Sequence, residues 1–221
     1  MGYSLGICVS KHYNETLTVE QIEEKAAKNR RRNEGKNGGE LAVFSRVTIG
    51  ELDLNGIDLS GAIFNEVHFN KTKLVGAKLT KVKFIECDFD EADMSGADLS
   101  GAKFINSTMF FAVLKNANME SADLYSTTIW ASDFEGVYAP SVRFTFSSVA
   151  DGGFENAKLQ KSAFAFTDLD YAQFTGADCK EANFLCNYNA DYANFDGADL
   201  TDAYFQAHDK RRKQRKKKKD E

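Results

Sequence analysis

The chain is poor in the residues that usually announce chemistry. Its 221 residues include three histidines, one tryptophan, one proline and four cysteines. His12, His68 and His208 stand beside no cysteine, serine or carboxylate constellation, and no P-loop, dinucleotide fingerprint or H-E-x-x-H is present. Cys8, Cys87, Cys179 and Cys186 show no C-x-x-C spacing, which argues against a metal or redox site and for buried or incidental thiols in a reducing compartment. No apolar run approaches the roughly 18 residues of a membrane span. The segment from Met1 to Val9 lacks a basic n-region, and Gly6 stands where an N-myristoylation signal wants Ser or Thr. These absences predict a soluble, cytoplasmic, non-enzymatic protein with no cofactor and no metal.

What is present is a beat. From Ala42 to Phe184 every fifth residue is large and apolar with few exceptions, preceded two positions earlier by a small residue. Ala92-Asp93-Met94-Ser95-Gly96 and Ala97-Asp98-Leu99-Ser100-Gly101 are clear instances. Taking every twentieth residue gives Phe44, Phe64, Phe84, Phe104, Leu124, Phe144, Phe164 and Phe184. A period of five suits neither strands, which alternate every two residues, nor helices, which repeat every 3.6. It requires a corner in each unit, and four corners close a square coil of twenty residues. The interior then holds four columns. One is the phenylalanine series; the others run through Ile49, Phe69 and Phe89, through Leu54, Leu74 and Met94, and through Leu59, Leu79 and Leu99. Small partners such as Ala62, Ala77 and Ala92 leave room for one bulky side chain per face.

Units such as Ala-Asp-Leu-Ser-Gly, Ala-Asn-Met-Glu-Ser and Ala-Asp-Leu-Thr-Asp resemble the pentapeptide-repeat family. The resemblance covers roughly residues 42–207 and implies an all-β solenoid, a right-handed quadrilateral β-helix of about eight coils. It says little about function, because that family spans different roles. Some members imitate duplex DNA and bind DNA gyrase, in resistance or immunity. Residues 41–208 carry 12 basic and 24 acidic side chains, the remainder after the seven and six of 1–40 and the nine and three of 209–221. Over a rod of roughly 39 Å, duplex DNA would carry about 23 charges. The net of −12 is near half that, and Lys71, Lys73, Lys78, Lys81 and Lys83 interrupt it.

The flanks divide into an N-terminal segment, 1–40, and a basic tail, 209–221. Thr18-Val19-Glu20-Gln21 is a capping-box pattern, and Val19, Ile22 and Ala26 share one side of the short helix expected to follow, which caps or lies beside the first coil. The tail has no apolar face and reads as disordered. Lys210, Arg211, Arg212, Lys213, Arg215, Lys216, Lys217, Lys218 and Lys219 are suited to nucleic acid, an anionic surface, a nuclear-import address or the protein's own acidic body. An effector or adaptor addressed by this tail is one reading of the whole. Between Phe184 and Phe195 the spacing is eleven, which places one inserted residue near 187–192. Val137-Tyr138-Ala139-Pro140-Ser141 reads as a dented face.

Outward slots should be polar, yet Ile105, Phe110, Phe111, Tyr125, Trp130, Phe146, Phe166, Tyr171 and Leu185 are not. Folded on the twenty-residue coil they fall near one corner as a single vertical apolar stripe. Such a stripe predicts a docking surface for a protein partner or for a second copy in a homodimer. A flanking segment such as the N-terminal helix is the other possible occupant.

Overall fold

The computed structural model describes residues 15–205. It shows a right-handed quadrilateral β-helix, each coil pairing in parallel with the next. Register is twenty residues: Phe44 lies on Phe64, Phe64 on Phe84, Phe84 on Phe104 and Phe104 on Leu124. Isolated bridges such as Asp53 to Lys73 and Asp58 to Lys78 carry the same register around the other faces.

The corners have one cause. Every fifth residue from Arg46 to Cys186 has positive φ, between 50° and 74°. A left-handed residue reverses the local curl of the backbone, so one per unit turns the chain through a corner. Glycine takes this position at Gly56, Gly61, Gly76, Gly96, Gly101, Gly136 and Gly176; all the others carry a side chain. The N–H of most corner residues donates across rungs, as Glu51 does to the Asn70 carbonyl at 2.9 Å and Asn116 to Glu135 at 3.0 Å. These rung bonds form only when coils stack, so stacking holds the unfavourable φ in place.

The interior follows the columns expected from the beat. Phe64, Phe84, Phe104, Leu114, Met119 and Leu159 are completely buried, as are Ala62, Ala92 and Ala122. Phenylalanine rings stack along a column, with centroids 4.6 Å apart for Phe44 and Phe64 and 4.9 Å for Phe164 and Phe184. Neighbouring columns meet edge to face, as Phe84 and Phe89 do at 4.9 Å. Both geometries suit the aromatic quadrupole.

Some small inward positions are not alanine. Ser107, Thr127, Ser132, Ser147 and Thr167 are buried. Their hydroxyls donate to rung carbonyls: Ser132 Oγ to Met109 O at 2.6 Å, Ser147 Oγ to Leu124 O at 2.8 Å, and Thr167 Oγ1 to Phe144 O. They also accept backbone N–H groups from the rung before, from Ala112 and Thr127 at 3.0 Å each. Where Ala77 or Ala92 closes its corner by donating to the carbonyl three residues back, Ala112 instead bonds to the next rung's hydroxyl.

The first coil has no rung below it, and the N-terminal segment covers that edge. Strand Glu15–Thr16 pairs with Val47–Thr48. Helix Val19–Asn33 starts at Thr18 with the reciprocal capping bonds to Gln21. It buries Ile22, Ala26 and Asn29. Asn29 Nδ2 donates to the Ser60 carbonyl at 2.8 Å, while Asn29 Oδ1 accepts the Ala42 N–H at 3.1 Å. Lys25 donates to the Val43 carbonyl at 3.1 Å and lies over the Phe44 ring. The helix thus satisfies edge groups that would otherwise template another strand.

The expected insertion falls between Tyr188, which bridges Asp168, and Asn194, which bridges Gln173. It takes the form of a short 3-10 turn, Ala190–Tyr192, entered through the left-handed Asn189. In the unit of Pro140 the small centre Ala139 remains buried and Tyr138 projects outward. Cys87 and Cys179 are buried, and burial pushes both thiols up to about 12; Cys186 is exposed on a corner. Cys8 and the tail residues 210–219 lie outside the described residues.

The Phe104 ring is fully enclosed between Phe84 and its neighbours. Phe104→Ala should therefore cost about 3–5 kcal/mol in a denaturant melt; a negligible loss would contradict the register.

Candidate functional site

The side chains expected to form one stripe fall instead into two ladders. Along the first, Ile105 pairs with Tyr125, Tyr125 meets Phe146 edge to face at 5.8 Å, and Phe146 stacks on Phe166 at 5.1 Å. Leu185 continues that corner upward. Along the second, Phe110 pairs with Trp130, and Phe111 meets Trp130 edge to face at 5.0 Å. Tyr171 follows higher up and contacts Tyr192 at 5.6 Å. The single stripe divides because five residues separate positions 105 and 110, and five residues are one whole face. The ladders occupy the two edges of that face. Between them runs the outward column Thr108, Thr128, Ser148, Asp168 and Tyr188.

Seven of the nine expected residues are exposed; Ile105 and Phe110 are half-buried. The N-terminal helix does not cover them, since its contacts are with Ala42, Val43 and Ser60 on the first coil. Tyr188 and Tyr192, exposed by 59% and 60%, extend the face and were not among the expected residues. Tyr192 is out of phase in the sequence because the inserted residue displaces it by one. Tyr188 holds an outward slot whose aromatic character was the available signal.

Phe111, Phe146, Phe166 and Tyr171 occupy left-handed corners, with φ of 58°, 56°, 56° and 53°. Their backbone conformation costs roughly 1–2 kcal/mol for a residue with a Cβ, least for Asn and Asp. Equivalent corners elsewhere carry Gly, Asn at Asn106, Asn116 and Asn156, or polar residues such as Lys71, Glu91 and Ser121. Phe146 is nevertheless 55% exposed and Phe166 42%, so burial does little to offset the strain. Trp130 is fixed in place: its indole Nε1 donates to Asp151 Oδ2 at 2.9 Å.

Below the aromatic part of this face lies a polar cluster. Asp88 accepts from Asn70 Nδ2 at 3.2 Å and from Thr108 Oγ1 at 3.1 Å, and faces His68 Nδ1 at 3.3 Å. Burial would raise the Asp88 carboxyl, but bonds from the Asp90 side chain and N–H, Asn70 and Thr108 outweigh it and hold the group below its ordinary value. Asp90 is pushed up to about 6, by burial first and then by Asp88 beside it, although it accepts the Phe110 N–H. This is structural chemistry linking rungs. Among the described residues no group of three or more His, Cys, Asp or Glu could hold a metal ion, and no helix is long and apolar enough to cross a membrane.

A family profile for Pentapeptide repeats matches residues 42–80, 72–109 and 154–184. The chain belongs to the pentapeptide-repeat proteins. Comparison with curated proteins gives no significant match. Among solved structures, trypsin-treated QnrB1, described as a plasmid-mediated fluoroquinolone resistance protein, is 18% identical. The likeness covers 81% of this chain and 88% of that one at a TM-score of 0.55, which supports the shared fold. HetL, a pentapeptide-repeat protein involved in heterocyst differentiation regulation in the cyanobacterium Nostoc sp. strain PCC 7120, is 21% identical over 85% of this chain and 94% of that one, at 0.41.

Two measurements test this geometry. Phe146→Asn gives up one stacked ring but relieves the corner, so stability should stay within about 1 kcal/mol of wild type in a denaturant melt. A loss of about 3 kcal/mol or more would make the ring structural. Because the folded Asp90 carboxyl titrates above its ordinary 3.8, the stability it contributes is present at low pH and lost as pH rises through about 6. Asp90→Asn keeps an oxygen for the Phe110 N–H without that titration. Its melting temperature relative to wild type should therefore rise between about pH 4 and about pH 7; an unchanged gap would refute the assignment.

Proposed function

We propose that this protein is a non-enzymatic interaction rod that docks a protein partner on the face bounded by its two aromatic ladders. The observation that carries this reading is the use of phenylalanine and tyrosine at four exposed left-handed corners. The turn itself does not call for a ring, since corners with the same backbone elsewhere carry Gly, Asn, Ser, Lys or Glu, as at Gly96, Asn116, Ser121, Lys71 and Glu91. Exposed, contiguous aromatic surface is the usual anchor of a protein interface. A second copy of the chain is one form such a partner could take.

The DNA-mimic reading that the family suggests has less support. Arg143 pairs with Asp123, Lys115 with Asp133 and Glu135, and Lys180 with Asp178 and Asp199. Cations placed across rungs neutralise the carboxylate rows that a duplex mimic would leave bare.

Trp130→Ser combined with Phe166→Ser should leave the circular-dichroism spectrum and melting behaviour near wild type while abolishing partner capture or dimerisation. Matched affinity capture and sedimentation of both chains provide the test. Equal capture and equal mass would reject the docking face. Inhibition of gyrase supercoiling, undiminished in the double variant, would favour the alternative.

A further inference from the structure

The docking face combines its aromatic rings with a local absence of positive charge. From Ile105 to Tyr192, its outward and corner positions include no Lys, Arg or His. Asp151, Asp168 and Asp170 supply negative charge, and none of the three is ion-paired among the described residues. Elsewhere carboxylates and cations pair across rungs, as Arg46 does with Glu66, Lys161 with Glu181 and Lys180 with Asp199. The lower coils of the same face carry Arg46, His68 and Lys71. The neighbouring face is also without cations at 133–136, 153–156, 173–176 and 194–197, but its outward slots carry no aromatic ring, so rings and bare carboxylates coincide on the docking face.

Aromatic faces and unpaired carboxylates together form a surface for cationic side chains, arginine above all, through charge and ring quadrupole. One segment of this chain has the reverse composition. Residues 210–219 are nine cations and one glutamine. The described chain ends at Phe205, stacked on Phe184 at 4.9 Å, immediately above the corner of Leu185. The tail therefore leaves from the upper end of this face. From Tyr188 down to Thr108 is four rungs, roughly 19 Å at about 4.8 Å each. Ten extended residues span up to roughly 33 Å. Residues 206–209 suffice to round the last coil, and tethering gives the tail a local concentration on the order of millimolar.

We propose that the basic run Lys210–Lys219 docks in cis on this face, its arginines and lysines against Trp130, Phe146, Phe166 and the carboxylates of Asp151, Asp168 and Asp170. The tail then competes with any partner for the surface, so partner binding and tail release are linked. This shares the face with the docking function but requires no external partner.

Trp130 is the only tryptophan, so its emission and acrylamide quenching report the face directly. At low ionic strength, a chain ending at His208 should be quenched about twice as efficiently as the full chain, with red-shifted emission. Adding a synthetic peptide of residues 206–221 to the truncated chain should restore protection, while a peptide with serine at every Lys and Arg should not. About 1 M salt should make the full chain behave like the truncated one, since screening then acts within about 3 Å. Protection in the full chain should not vary with protein concentration. Identical quenching of the two chains at low salt would overturn the proposal, and concentration-dependent protection would overturn docking in cis. If quenching is identical while Trp130→Ser with Phe166→Ser still loses its partner, the tail assignment fails and the docking face stands.

Discussion

A left-handed residue at every fifth position is the constraint on which this molecule rests. Each such residue is unfavourable alone, and most are held by an N–H donated to the following rung, as Lys71 donates to Asp90 and Lys161 to Lys180. The corner makes stacking possible and stacking makes the corner tolerable. That reciprocity explains why units of five residues, too short to bury anything by themselves, form a continuous core. The large central residue and its small partner fill the square between the corners. Where the partner is Ser or Thr, its hydroxyl takes over backbone bonding, so the loss of the local corner bond leaves no buried unsatisfied N–H at Ala112 or Thr127.

The same constraint makes the aromatic face informative. A corner position accepts Gly, Asn or Asp at least cost, and this chain uses them freely at Gly96, Asn116 and Asp151. Most remaining corners carry polar residues such as Lys71, Glu91 and Ser121, whereas aromatic rings stand at Phe111, Phe146, Phe166 and Tyr171, beside one face only. Ring-to-ring contact up the ladder returns part of the strain, about 0.5–1.5 kcal/mol for a well-placed pair. It leaves the outer surface of each ring in water, which is an arrangement suited to contact with another molecule. The absence of cations from the same stretch adds a charge preference to the shape.

The ends follow a different logic from the middle. A solenoid's interior rungs satisfy one another, but the first rung has bare donors and acceptors. Asn29 answers this with one side chain that both donates to Ser60 and accepts from Ala42. An amide can serve both polarities of an exposed strand edge, which an aliphatic or singly charged residue at that helix position could not.

Much of this architecture was legible in the sequence, because a solenoid converts linear period directly into spatial neighbourhood. The column from Phe44 to Phe184, the capping box at Thr18 and the inserted residue before Asn194 all depend on local spacing, and all appear where spacing puts them. The division of the aromatic stripe into two ladders was not legible in that way. It depends on the width of a face between consecutive corners and on which rings touch across rungs, such as Phe111 with Trp130 and Tyr125 with Phe146. The raised Asp90 carboxyl and the double role of Asn29 likewise required groups from separate coils or elements to be placed within bonding distance. The sequence determined the coil, its register and its core, since those follow from which residue recurs at which interval. Tertiary structure alone decided what stands on the outside beside what, because outward side chains are set by lateral geometry that no single period encodes.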